Sequence, residues 1–268
     1  MVDFTEKSSY GIQDLLDIVA ILRSEDGCPW DRAQTHASIR KNFIEETYEA
    51  VDAIDQQDAK LLCEELGDVM LQVALHCQME AEQGTFTFED VCDGICKKLI
   101  YRHPHVFGDS ELKSTGEVSK AWEMLKNKAK GRTTAQADLE SVPGCLPALM
   151  RAGKVQKRAA GYGIAYPDLA AAVRDLDEEV AELKQAAATG VNLAGEVGDV
   201  LFSTTNLARM CQVDAEEALT GTTNRFAKRV TVCEQLAKAQ GRDLKSLSGE
   251  ELDTLWEQAK QQLQATGE

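Results

Sequence analysis

The sequence predicts an all-α protein made of two tandem four-helix domains. Apolar residues recur at helical spacing along the chain, and no useful stretch shows the alternation that a half-buried strand needs. Only 5 prolines occur in 268 residues, and 43% of the residues are hydrophobic, which is enough to build a core. A set of landmarks also occurs twice in the same order, and such self-similarity indicates a duplicated helical unit.

The duplication rests on four landmarks that recur at nearly one spacing. Two carboxylates recur after 133 and 131 residues, a tryptophan after 134 residues, and a basic pair after 127 residues. The paired landmarks are Glu46 with Glu179, Asp68 with Asp199, Lys98 with Arg225, and Trp122 with Trp256. We therefore predict two copies of one domain.

The first predicted domain covers residues 8–130. Its first helix should end where Gly27 and Pro29 break the pattern. Its expected helices cover, in order, 11–23, 37–56, 59–82, a stretch from Thr87 to near His103, and a short stretch around Trp122.

A basic, polar linker is predicted over residues 131–142, and the second domain over 143–268. The turn at Thr189 and Gly190 should join two paired helices, as in the first domain. The expected helices cover 146–160, 168–188, 192–212, 214–240, and a last stretch that carries Trp256.

The charge balance restricts the classes of partner. The formal net charge is −16, which argues against nonspecific binding to nucleic acid or to an anionic membrane. No apolar run is long enough to span a bilayer, and the first residues do not resemble a signal peptide. The 8 cysteines show no zinc-binding spacing, so a reduced cytoplasmic protein is the simplest interpretation.

Carboxylates at unusual positions are the strongest functional signal. Each copy holds two E-x-x-[ED] pairs on consecutive helices, and the second pair lies just before an apolar run. Residues three apart share a helix face, so two antiparallel helices should turn their pairs toward each other. The predicted ligands of a hard cation, Mg²⁺ or Mn²⁺, are Glu46, Glu49, Glu65, Asp68, Glu179, Glu182, Glu196 and Asp199.

A solvated helix surface, a zinc site and a di-iron site fit these acids less well. A single glutamate of this kind is most often on a solvated helix face, but the matched and duplicated set argues against that. Zinc is disfavoured because no histidine or cysteine has ligand spacing. A di-iron bundle would need Glu-x-x-His motifs, and no glutamate stands three residues before a histidine. Gly67 and Gly198, beside the acids, would permit a close approach of a neighbouring helix or a ligand.

Basic residues suited to a polyphosphate accompany the acids. They lie about one helical turn before the acid pairs, or one turn apart on a later helix, although each alone is also compatible with an ordinary helix surface. Trp256 could stack on a base or anchor the core. The candidate substrate-binding residues are Lys41, Lys60, Lys98, Arg102, Arg225, Lys228, Arg229 and Trp256.

These motifs together resemble the MazG family of nucleoside triphosphate pyrophosphohydrolases. The resemblance covers residues 11–262 and is carried by Gly27-Cys28-Pro29-Trp30-Asp31, Glu45-Glu46-Thr47-Tyr48-Glu49, Glu64-Glu65-Leu66-Gly67-Asp68, Arg102-His103-Pro104-His105-Val106-Phe107, Leu146-Pro147-Ala148-Leu149-Met150-Arg151-Ala152 and Glu196-Val197-Gly198-Asp199-Val200-Leu201-Phe202.

The resemblance implies an all-α pyrophosphatase that forms homodimers of four-helix domains and uses Mg²⁺. It implies hydrolysis of nucleoside triphosphates to the monophosphate and pyrophosphate. It also implies that Glu45, Glu64 or Glu178, adjacent to the metal ligands, orients or deprotonates the attacking water. Two alternatives remain open: a narrow activity on dUTP or dCTP, and a non-catalytic helical interaction protein.

The second half departs from the family pattern. Family members often carry a lysine about one turn before each acid pair, whereas Asp175 and Asn192 stand at those positions. Gly195 replaces a common additional acid. The second site is expected to keep its affinity for metal, while its catalytic strength is in question.

Overall fold

The computed structural model describes residues 4–109, 114–129 and 134–266. Over these residues the regular structure is helical, without a strand, which confirms the predicted all-α class. The chain divides into two compact units, and the first of them ends at Ala129.

The described part of the first unit consists of two helices of 20 and 24 residues, three of 12 to 15 residues and two of 4 residues. In chain order they are α1 (Ile12–Arg23), α2 (Pro29–Arg32), α3 (His36–Asp55), α4 (Ala59–Glu82), α5 (Phe88–Arg102), α6 (Pro104–Phe107) and α7 (Thr115–Ala129). The short helices α2 and α6 were not predicted, and each begins with a proline at its first position.

Capping residues determine where the long helices begin. The hydroxyl of Thr35 accepts a hydrogen bond from the amide of Ser38, and that of Thr87 accepts one from the amide of Asp90. The carboxylate of Asp58 accepts from the amides of Lys60 and Leu61 at the start of α4. Only three residues separate α3 from α4, so these two helices form a hairpin.

A close backbone contact requires glycine after α1. The amide of Cys28 donates to the carbonyl of Leu22 at 2.8 Å, which folds the chain back onto the helix end. A Cβ at Gly27 would lie 2.1 Å from the carbonyl oxygen of Ile21, closer than any contact allows. The break predicted here is therefore a tight return rather than a loose loop.

The core of the first unit lies where α1, α3 and α4 meet. Its buried side chains are Val19, Ile39, Ala74, Leu75 and Met79. Since α4 packs against α1, α3 and α5, it is the central helix of the unit.

Arg23, only 8% exposed, joins this core to the segment after α1. Its Nε and Nη2 donate to the Glu82 carboxylate at 2.8 and 2.9 Å, and its Nη1 donates to the carbonyl of Asp31. The Glu82 carboxylate neutralises the buried guanidinium, so burial of the arginine is tolerated.

The second unit contains α8 (Ala135–Glu140), α9 (Ala148–Gly161), α10 (Leu169–Thr189), α11 (Leu193–Met210), α12 (Ala215–Ala239), a 3-10 turn (Leu244–Ser246) and α13 (Gly249–Thr266). Asp168 and Asp214 cap α10 and α12. Gly190, with φ of 75°, ends α10 in the left-handed conformation that glycine adopts without strain.

In both units, helices at corresponding places in the chain pack against corresponding neighbours. Helix α4 packs against α3, α1 and α5, and α11 packs against α10, α9 and α12. Likewise α5 contacts α7, and α12 contacts α13. The main buried clusters differ, because that of the second unit lies between α12 and α13 and contains Val232, Cys233, Ala237, Leu255 and Ala259. This internal order supports the predicted duplication.

Part of the predicted linker 131–142 is structured. Helix α8 packs against α9, and Asp138 is only 5% exposed. The guanidinium of Arg158 binds the carbonyl and carboxylate of Asp138. The stretch has too few apolar residues for the sequence pattern to predict a helix, and these polar contacts hold it in place. Residues 131–133 lie outside the described part of the chain.

All 8 cysteines are unpaired, and those at 77 and 233 are buried. Among the described helices, none has the length and apolar character needed to cross a bilayer.

Candidate acid-cluster site

The first acid cluster lies on the α3–α4 hairpin. Carboxylate oxygens of Glu46, Glu49 and Glu65 all lie within 4.8 Å of one another. Asp68 faces the same group, because its charge raises the pKa of Glu46. The spacing in the sequence predicts this convergence, since both helices carry their acids two to three turns from the connecting turn.

Burial and mutual repulsion disfavour full ionisation of this cluster. The pKa of Glu46 is raised by desolvation and then by the charges of Asp68, Glu49 and Glu65. The pKa of Glu65 is raised by desolvation and then by Glu49 and Asp68. Raised carboxyl pKa values mean that several negative charges share a small volume, which a bound cation would relieve.

The second cluster lies on α10 and α11 and also brings three carboxylates together, but it includes Asp199 and leaves out Glu182, whereas the first includes Glu49 and leaves out Asp68. Carboxylate oxygens of Glu179, Glu196 and Asp199 lie within 4.8 Å of one another. Desolvation raises the pKa of Glu179, followed by the charges of Asp199, Asp175 and Glu182. The second cluster thus contains an additional carboxylate in place of the lysine that the family pattern would supply.

A tyrosine beside the second cluster was not predicted as a site residue. A hydrogen bond to Asp175, together with burial and the charges of nearby glutamates, raises the pKa of Tyr166 to about 12. The hydroxyl of Ser203 donates to the same carboxylate at 2.7 Å. In the sequence, only Asp175 marked this position as unusual, because it stands where the family pattern has a lysine. The contact between Asp175 and the Tyr166 hydroxyl depends on the fold.

The three glutamates proposed to act on water flank the clusters and are solvent-exposed. Glu64 raises the pKa of its neighbour Glu65, and Glu178 raises that of Tyr166. Glu45 is exposed beside Glu46. Their charges therefore lie at the edge of each cluster, where solvent has access.

Five of the seven candidate phosphate-binding bases lie on α5 and α12, whereas Lys41 lies on α3 and Lys60 on α4. The guanidinium carbon of Arg102 lies 5.0 Å from the ring centroid of Trp122, and that of Arg229 lies 5.7 Å from the ring of Trp256. Phe226 also packs against Trp256, with ring centroids 5.2 Å apart. Each arginine is thereby held by an aromatic ring, which lies on α7 in the first unit and on α13 in the second.

The structure does not join these bases to the acids. In the part of the chain that the structure describes, no ion pair links an acid cluster to Lys41, Lys60, Lys98, Arg102, Arg225 or Arg229. Arg225 donates instead to the Thr222 hydroxyl. Lys228 lies on α12 between the two arginines. The Nε of Arg102 is buried without a hydrogen-bond partner among the described residues.

The glycines beside the acids are not in close contact with another helix of their own unit. A Cβ at Gly67 or Gly198 would meet no described atom within 4 Å. The expectation that these glycines admit a neighbouring helix or a ligand stays a prediction. Both face open space next to carboxylates.

The donor set fits a hard divalent cation. The clustered ligands are carboxylates, without a histidine or cysteine among the grouped residues, and oxygen ligands are those that Mg²⁺ and Mn²⁺ prefer. The raised pKa values of Glu46, Glu65 and Glu179 show that each cluster is short of positive charge.

The fold and the site define an all-α protein whose helical hairpins present facing carboxylates suited to a hard cation. Comparison with known proteins identifies its family. The profile of the MazG nucleotide pyrophosphohydrolase domain matches residues 34–107, which span the first acid hairpin and α5.

Relatives match over most of the chain. The nucleoside triphosphate pyrophosphohydrolase of Escherichia coli (strain K12) is 40% identical over 256 residues, covering 94% of this chain and 97% of the relative. The nucleoside triphosphate pyrophosphohydrolase/pyrophosphatase MazG of Thermotoga maritima is 42% identical over 248 residues, covering 92% and 95%. YabN of Bacillus subtilis is 42% identical over 247 residues, covering 91% of this chain and 50% of that protein.

The chain belongs to the MazG nucleotide pyrophosphohydrolase family. This confirms the family and the enzyme class predicted from the sequence motifs.

Proposed function

We propose that this protein is a Mg²⁺-dependent nucleoside triphosphate pyrophosphohydrolase, which converts a triphosphate and water to the monophosphate and pyrophosphate. The observation that carries the proposal is the pair of carboxylate clusters on the two helical hairpins. The names of the relatives, which are nucleoside triphosphate pyrophosphohydrolases, support the substrate class.

Each cluster would hold the cation through four carboxylates. In the first unit these are Glu46, Glu49, Glu65 and Asp68; the second set is Glu179, Glu182, Glu196 and Asp199. When bound, Mg²⁺ supplies charge neutralisation of the triphosphate and lowers the pKa of a coordinated water. Mn²⁺ has the same ligand preference and is expected to substitute.

The remaining steps belong to side chains of the protein. Glu45, Glu64 or Glu178 orients the attacking water and accepts its proton, which requires a carboxylate at the edge of the cluster. Arginines and lysines of α5 and α12 bind the phosphates and stabilise the charge on the departing pyrophosphate. Trp122 and Trp256, which hold Arg102 and Arg229, orient these guanidinium groups.

A panel of ribo- and deoxyribonucleoside triphosphates tests the proposed activity and its range. Each substrate is incubated with Mg²⁺, and the products are separated. We expect monophosphate and pyrophosphate from several bases. Turnover confined to dUTP or dCTP would replace broad activity with the narrow one, and release of diphosphate and orthophosphate would contradict the proposed reaction.

Metal binding is testable without turnover. We expect Mg²⁺ or Mn²⁺ with a nonhydrolysable triphosphate to raise Tm, because ligands that bind only the folded state stabilise it by about 2.7 kcal/mol at a hundred times Kd. A double variant, Glu46→Gln with Glu179→Gln, is the control and should lose the shift. An equal shift in the variant would contradict the assignment of the metal ligands.

A further inference from the structure

Both units contain a cavity at the same corner of the fold. In the first unit it has a volume of about 210 Å³ and lies between α1, α4 and the start of α5. In the second it has a volume of about 290 Å³ and lies between α9, α11 and the start of α12. The helices that form the two corners correspond, because α4 packs against α1 and α5 just as α11 packs against α9 and α12.

Seven lining positions correspond between the two cavities. Four residues of α1 match four of α9 at an offset of 137, and three residues of α4 match three on or just after α11 at the offset of 131 that also relates the acids Asp68 and Asp199. The corners therefore provide an internal comparison of two sites with the same backbone plan and different side chains.

Three of these matched positions are basic in the second unit and acidic or neutral in the first. In the second unit, Lys154, Lys157 and Arg209 line the cavity. At the matching positions of the first unit stand Asp17, Ala20 and Gln78. Glu89 also lines the first cavity, which has no basic residue among its lining side chains.

Two of the basic groups at this corner, Lys154 and Arg209, keep their positive charge without a carboxylate partner among the described residues. Lys154 and Lys157 are three residues apart on one face of α9, where like charges repel. The guanidinium of Arg209 is fixed by hydrogen bonds from Nε and Nη2 to the neutral Asn206 side chain, at 3.0 and 2.7 Å, so its charge is not neutralised there. Within the described residues, the Lys154 ammonium makes no ion pair.

The acids near this corner already have partners. Asp214 lines the cavity, but its carboxylate accepts from the amides of Glu216 and Glu217. Glu216 in turn accepts from the amide of Met150. The amides at the start of α12 are thus occupied by the Asp214 carboxylate. The attraction for a ligand comes from the three basic side chains, which outnumber the two acids.

We propose that the corner formed by Lys154, Lys157 and Arg209 binds a small phosphate-bearing anion, separately from the acid clusters. One guanidinium and two ammonium groups belong to the side chains that line a cavity of this size, and such groups suit a phosphate or a diphosphate group. The protein as a whole carries a net charge of −16, so this local reversal of sign gives an anion a defined place to bind.

Titration calorimetry of the full-length protein with inorganic pyrophosphate tests the site. EDTA is present, because metal-free acid clusters repel anions. The variant Lys154→Asp with Arg209→Gln introduces the residues that the first unit has at these positions. We expect it to lose one equivalent of pyrophosphate per chain, with affinity at the corner reduced at least about tenfold through the loss of charge-assisted hydrogen bonds.

A matched control separates the site from the change in net charge. Lys184→Gln with Lys245→Asp alters the net charge by the same amount at exposed positions away from the corner and should bind like the wild type. Circular dichroism checks folding. If the double variant is misfolded, Lys154→Gln decides, because this exposed side chain can be shortened without disturbing the packing of α9. Absence of binding to the wild type at millimolar pyrophosphate, or unchanged stoichiometry and affinity in the folded variant, would overturn the proposal.

Discussion

At the scale of single residues, the acid clusters combine a cost in stability with a proposed role in binding metal. Their carboxylates raise one another's pKa, so the metal-free fold bears repulsion that its ligands would remove. Sites that bind ions often show this conflict between stability and function.

Glu46→Gln tests this conflict directly. Because the folded pKa of Glu46 is raised, its ionised form destabilises the fold, and the cost disappears as pH falls through that raised pKa. We expect the variant to be at least as stable as the wild type at pH 7 without metal. We also expect turnover in the first unit to fall about 100-fold or more, because losing a group that only supports a metal ligand already reduces activity by up to about 100-fold. Urea unfolding with EDTA and kinetics with Mg²⁺ measure the two effects.

The matching change in the second unit is the natural control. Glu179→Gln removes the equivalent carboxylate. The loss of turnover in each single variant measures how much of the total turnover its unit contributes. A marked loss of metal-free stability together with unchanged kinetics in both would contradict the assigned role of the acids.

Residue spacing predicted which acids face each other, but not what surrounds them. The E-x-x-[ED] spacing fixes one helix face, and a short connection brings two such faces together. The contact of Tyr166 with Asp175 depends on the path of the chain between α9 and α10, which no periodicity encodes. The stacking of Arg102 on Trp122 likewise requires α5 and α7 to pack side by side.

At the scale of helices and their connections, boundaries followed from capping chemistry. Thr35, Asp58 and Thr87 stand at the starts of three helices, and a polar side chain before an apolar run is recognisable in sequence. Helix α8 was not predicted, because its 6 residues include too few apolar side chains to show a helical period and its position depends on a contact with Arg158. Short elements held by tertiary contacts are those that sequence patterns miss.

The contact between α1 and α4 gives a prediction at this scale. Glu82→Gln leaves the buried Arg23 guanidinium without its carboxylate, and we expect a loss of about 1–2 kcal/mol in the free energy of unfolding, since Glu82 is partly exposed. Glu25→Gln, at an exposed position near the end of α1, is the control and should change stability little.

The same pair has a defined pH dependence. Hydrogen bonds from Arg23 lower the pKa of Glu82 below its ordinary value of 4.5. Its contribution is therefore complete above pH 4.5 and is lost as pH falls through the lower folded value. The difference in stability between wild type and Glu82→Gln should shrink on acidification over this range, and a difference that grows would contradict the ion pair.

At the scale of the whole molecule, long apolar stripes remain uncovered in the single chain. On α3, Ile44, Tyr48 and Val51 are 51%, 55% and 47% exposed, at helical spacing. On α5, Val91, Ile95 and Leu99 form a second such row. Monomeric proteins rarely expose contiguous apolar surface of this kind, so the stripes favour the predicted homodimer.

Light scattering during gel filtration tests the dimer. We expect a mass twice the 29.4 kDa of the chain. Ile44→Glu with Tyr48→Glu should shift the protein toward the monomer, because charges would replace apolar contacts. Glu216→Gln, outside the stripes, should leave the mass unchanged. A wild type that is monomeric at micromolar concentration would contradict this role of the stripes.

The central claim is that the paired acid clusters are the sites of pyrophosphohydrolysis. Its most direct test is product analysis by phosphorus NMR for the wild type and for the variant Glu46→Gln with Glu179→Gln, each with a nucleoside triphosphate and Mg²⁺. We predict monophosphate and pyrophosphate from the wild type and almost none from the folded double variant. Wild-type production of diphosphate and orthophosphate, or undiminished turnover by the variant, would contradict the claim.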